Sequence, residues 1–148
     1  MRYALSFVLT AGWISAQAVP PEKQAILQYT LTMERANQLI AAMPEMTAYV
    51  VSLGPDAVAK SMKKSSAQRL ADFEKDDKAM AIVKKHNLTA RDYLTGVPAL
   101  RMALLLAGGM PQTETVYASP ENLAFAKAHL SELKPRWDAA EGAGRRAK

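Results

Sequence analysis

The sequence predicts an all-α protein, a compact bundle of five or six short-to-medium helices around one core. Three observations carry this expectation. Apolar residues recur three and four positions apart through most of residues 31–137. Capping residues stand just before the apolar runs at Thr32, Thr89 and Ser119. No alternation of strand type lasts more than a few residues.

Residues 1–18 read as a cleaved signal peptide rather than as part of the fold. Arg2 supplies a positive start, Tyr3 to Ile14 an apolar run, and Ala16 and Ala18 the small residues of a cleavage site. The run is too short to span a bilayer, which takes about 20 residues. Export, to the periplasm or beyond it, is therefore expected. The chain that remains, Val19 to Lys148, has 130 residues and no cysteine, so its stability must come from packing.

"VPPEKQAILQY" begins an expected extended lead, residues 19–30. In Leu31 to Met43, Thr32 is a cap, Glu34 an acid in the first turn, and Ala36, Leu39, Ile40 and Met43 an apolar face. Pro44 is expected to end or kink this helix, with a second short helix running to Leu53. Gly54-Pro55-Asp56 forms a turn with Pro55 opening the next helix. Val58, Met62, Leu70, Phe73, Met80 and Val83 read as one apolar stripe over two helices, about 56–75 and 77–86, with a single long helix as the alternative. Asp76 is the expected cap between them, and Asn87 suits a left-handed stop.

Thr89 and Asp92 have capping-box spacing, and Leu88 with Tyr93 matches a hydrophobic staple. Pro98 frees the carbonyl of Leu94, so with Gly96 beside it the central helix should kink there. Leu100, Ala103, Leu104 and Ala107 continue the buried face, and Leu105 and Leu106 widen it until the helix should be nearly surrounded. Gly108-Gly109 and Pro111 stop it. Ser119-Pro120-Glu121 starts another helix, which Pro135 should limit. The helical domain then covers 31–137, and residues 138–148 form a flexible basic tail.

The residues exclude more chemistry than they suggest. There is no Glu-x-x-His, no His-Glu-x-x-His, no Gly-x-Ser-x-Gly and no cysteine, so no catalytic set is expected and no cofactor is assigned. Without residues 1–18 the chain holds 18 basic and 14 acidic residues. Arg145, Arg146 and Lys148 crowd the end, leaving the body near neutral, so no nucleic acid is expected as partner. Lys60 to Lys85 carries eight basic and four acidic residues, interleaved as on a solvated helix face.

Candidate binding residues are Arg101, Asn122, Tyr93 and Arg91. Arg101 stands out because an arginine in a surrounded helix needs a carboxylate or an anionic ligand. Arg91, Asp92 and Tyr93 resemble a catalytic triplet, but capping and stapling account for the last two. Weaker metal or haem candidates are His129, His86, Met43 and Met46, the two methionines having a spacing that suits Cu(I). Core filling and helix-end placement explain the same residues.

"LTMERANQLIAA", "HNLTARDYLTGVPALRMALL" and "SPENLAFAKAHLSEL" together resemble a loose set of small exported bacterial helical proteins. Its marks are a Leu-Thr-x-Arg-(Asp/Glu)-Tyr motif, here Leu88 to Tyr93, and a Pro-x-Asn-x-x-Phe motif, here Pro120 to Phe125. The resemblance covers most of Leu31 to Leu133 and implies fold and export, with no catalytic residue. The expected role is an exported binding or interaction module for a small ligand or a protein. A non-covalent haem- or copper-carrying periplasmic protein is the alternative.

Overall fold

The computed structural model describes residues 18–146. The expected signal peptide lies, but for Ala18, outside the described residues. Among the described residues there are eight α-helices and no strand: α1 (Pro21–Gln28), α2 (Met33–Ser52), α3 (Pro55–Met62), α4 (Ser66–Lys75), α5 (Asp77–Lys85), α6 (Ala90–Ala107), α7 (Pro120–Ala128) and α8 (Leu130–Arg146). The all-α class holds, while the helix number exceeds the expected five or six. None of these helices is long and apolar enough to cross a membrane.

The lead is helical where an extended arm was expected. Pro21 sets the first φ of α1, Glu22 sits in its first turn, and Ile26 is buried. Only Tyr29 to Thr32 runs between α1 and α2 without helix. Thr32 then caps α2 as expected, accepting from the Arg35 amide at 3.2 Å.

Pro44 was expected to end or kink its helix, Pro98 to kink the central helix and Pro135 to limit the last one, and all three helices run on through the proline. Pro44 lies inside α2, Pro98 inside α6 and Pro135 inside α8. A proline removes one hydrogen bond, a cost of about 3 kcal/mol or more in a helix interior. Each helix is held by buried residues on both sides of its proline. In α2 these are Ala36, Leu39, Ile40 and Met43 before and Met46 after. In α8 they are Leu133 before and Trp137 and Ala140 after. The expected flexible tail is thus helix as far as Arg146, and α6 is continuous at the position of the expected kink.

The stretch between α2 and α6 forms three helices, not one or two. Ser65 and Gln68 exchange both bonds of a capping box and start α4 afresh. Asp76 separates α4 from α5 and accepts from the amides of Lys78 and Ala79 at 3.1 and 3.0 Å. Asn87 adopts a left-handed φ of 56°, as its position after α5 suggested.

In the core α2 lies chiefly along α8, and α6 along α7, with α1, α4 and α5 packed around them. Leu39, Leu100, Leu104, Leu133 and Val83 are its largest fully buried side chains. Gly96 is part of this packing. A Cβ there would stand 2.9 Å from Leu39 Cδ1 and from the ring and hydroxyl of Tyr29, so glycine lets α2 and the Tyr29 segment close onto α6. α3 is the exception to all of this. It buries no residue and has no part in the main helix packings.

Candidate functional site

The structure gives most sequence candidates a structural occupation. Arg101 is on the open edge of α6, its side chain 61% exposed, with Nε 3.8 Å from Glu141 on α8. The expectation of a surrounded helix fails because Arg91 and Arg101 mark a solvent-facing strip. A surface pair of this kind contributes about 0–1 kcal/mol. Arg91 is exposed.

Asn122 is 2% exposed, the one polar residue in the buried set. Its Oδ1 accepts from the Leu31 amide at 3.0 Å, and its Nδ2 donates to the Tyr29 carbonyl at 2.6 Å. The amide therefore acts as a surrogate strand partner, satisfying the backbone between α1 and α2 from a helix start 91 residues away. Tyr93 packs its ring 6.1 Å from Phe73, and burial pushes its phenol up to about 12. Thr89 and Asp92 complete the expected capping box, each side chain taking the other's amide at 3.0 Å.

His129 is not within a helix but caps the end of α7, its ring 4.9 Å from Phe125. His86 ends α5 as expected. Its Nε2 is buried without a hydrogen bond, 3.5 Å from Glu45. The Glu45 carboxylate is engaged by Lys85 at 2.9 Å, and that bond holds it below the usual carboxylate range. Met43 and Met46 are buried in the core.

What stands out lies elsewhere. Seven large apolar side chains are exposed among the described residues, and five of them, Val50, Val51, Leu53, Val58 and Met62, fall within one short stretch. They occupy the last turn of α2, the turn after it and α3. A set dispersed along the chain would need no explanation, but five between Val50 and Met62 mark this stretch as a contact surface. The corner is well defined locally. Gly54 has φ 86°, a conformation that side chains disfavour, and Pro55 opens α3 directly after it. The sequence placed Val58 and Met62 on the core stripe, yet Met62 is 76% exposed. Helical spacing says that two residues share a face, not that anything covers that face.

Below the corner runs an open groove of about 370 Å³. Met46, Tyr49 and Val50 line it from α2, Leu53 from the turn after it, Lys60 and Ser61 from α3, and Arg69, Asp72 and Phe73 from α4. Tyr49 divides it from a second groove of about 450 Å³ between α2 and α5. The Tyr49 hydroxyl donates to Asp76 at 2.6 Å, and the Lys78 ammonium lies 4.9 Å from its ring centroid. Burial raises the Asp76 carboxyl, but the Tyr49 hydroxyl and the Ala79 and Lys78 amides outweigh it and hold the carboxyl below the usual range. The bond to Asp76, with some burial, raises the Tyr49 phenol in turn. Tyr49 is thus a fixed wall rather than a free acid. Lysines border the corner: Lys64 pairs with Asp72 at 2.5 Å, while Lys60 and Lys63 have no ion-pair partner among the described residues. Comparison with known proteins finds no matching family model, no similar curated protein and no similar solved structure.

Proposed function

We propose that this chain is an exported helical interaction module whose working surface is the corner formed by the end of α2, the Gly54 turn and α3. One observation carries the reading: the large exposed apolar side chains are concentrated between Val50 and Met62, next to an open groove. Export rests on the sequence of residues 1–18, with its basic start, apolar run and small residues at the cleavage position. No catalytic role is assigned to the corner, because its partly buried titrating pair, Tyr49 and Asp76, is already closed on itself.

A photocrosslinking side chain placed at Leu53 tests this, with Arg101 on the open edge of α6 as control. In cells exporting the protein, Leu53 is expected to give an adduct, with protein or with lipid, and Arg101 none. Equal labelling from both positions, or none from Leu53, removes the corner as the working surface.

A further inference from the structure

We infer that the corner docks onto a lipid bilayer surface carrying anionic headgroups; this rests on the corner being the working surface. The exposed apolar residues are not confined to the groove. Val50 and Leu53 line it, whereas Val51, Val58 and Met62 do not. An occupant of the groove alone leaves those three side chains in water. A fluid interface can reach the exposed side chains of α3 that a groove occupant leaves uncovered.

The charge around them selects the kind of interface. Residues 50–64 contain Lys60, Lys63 and Lys64 against a single acid, Asp56. Lys60 lies inside α3 and Lys63 caps its end, so two ammonium groups without carboxylate partners accompany the apolar side chains. Apolar side chains on a short helix flanked by lysine stems are the composition of a segment lying in a membrane interface, where the stems reach the headgroup level. α3 is free to lie there because none of its residues is buried in the body. With only a few apolar residues and a few lysines, the attachment is reversible and weakens as salt screens the headgroups.

Cosedimentation with vesicles tests the inference, using residues 19–148, which hold the whole described core. Vesicles of phosphatidylcholine mixed with phosphatidylglycerol are compared with phosphatidylcholine alone. The chain is expected to sediment with the anionic vesicles at low salt and to be released by added salt. Lys60→Glu with Lys63→Glu, and separately Val58→Asp with Met62→Asp, should each weaken that binding by about tenfold or more, while the helical circular-dichroism signal is kept. No binding to anionic vesicles, equal binding to both vesicle types, or unchanged binding by either folded variant overturns the inference. If vesicles fail while Leu53 still crosslinks to a protein in the exporting cell, the corner stands and the bilayer does not. If both fail, the corner itself falls.

Discussion

The α6 region and the α2–α3 corner are written in similar letters and used in opposite ways. Both hold a Gly, a Pro and a run of Val, Leu and Ala or Met. In α6 most apolar side chains are covered by α1, α2, α4, α7 and α8, and even the glycine is needed for close packing. At the corner the same residue types are left open, on a helix that touches little else. Apolar content alone does not tell a core from a contact surface. The presence of a covering element does.

That contrast breaks most readily at its buried end. Leu100→Ala removes a fully buried side chain between packed helices and should cost about 2–5 kcal/mol in urea unfolding. A small loss there means that α6 is not the centre of the core. Gly96→Ala comes next. Alanine favours a helix by about 1 kcal/mol over glycine. The new methyl would meet Leu39 and Tyr29 at 2.9 Å, and Leu39 is itself fully buried. Overpacking should prevail, with a net loss of about 1–2 kcal/mol. A gain in stability would show that α2 and Tyr29 yield easily. Asn122→Ala strands the Leu31 amide and the Tyr29 carbonyl and should cost about 1–3 kcal/mol. Faster amide exchange at Leu31 in that variant checks the cause.

A pH experiment sharpens the same boundary. The Tyr93 phenol titrates near 10 in the unfolded chain and is pushed up to about 12 in the fold. Between those values the folded state holds a proton that the unfolded state releases. Its contribution is therefore complete below pH 10 and lost as pH rises toward 12, by up to about 2–3 kcal/mol. Tyr93→Phe should remove that part of the alkaline decline while leaving stability at neutral pH nearly unchanged. An identical alkaline profile in the variant would place the phenol in water.

The sequence made local facts legible and long-range ones obscure. The caps at Thr32, Asp76, Thr89 and Ser119 could be read because a cap and its amide lie within three residues. Pro44 and Pro135 do not end their helices: the local cost of a proline is visible in the sequence, while the burial on both sides is set by distant helices. The end of the chain was misread for the same reason, since Ala140 looks like tail composition until it is seen in the core. Asn122 was picked out, but its role depends on backbone 91 residues away. Arg101 was picked out on the assumption of a surrounded helix and is exposed. The corner was missed because its residues continue a helical pattern into a place where nothing packs.

The most direct measurement compares like substitutions in the two regions. Val51, Val58 and Met62 all lie on helices, so changing each to Ala costs nothing in helix propensity. The triple variant Val51→Ala/Val58→Ala/Met62→Ala, unfolded in urea beside Leu100→Ala, should lie within about 1 kcal/mol of the parent while the single core change loses about 2–5 kcal/mol. A triple variant as unstable as Leu100→Ala would place those side chains in the core and contradict the account.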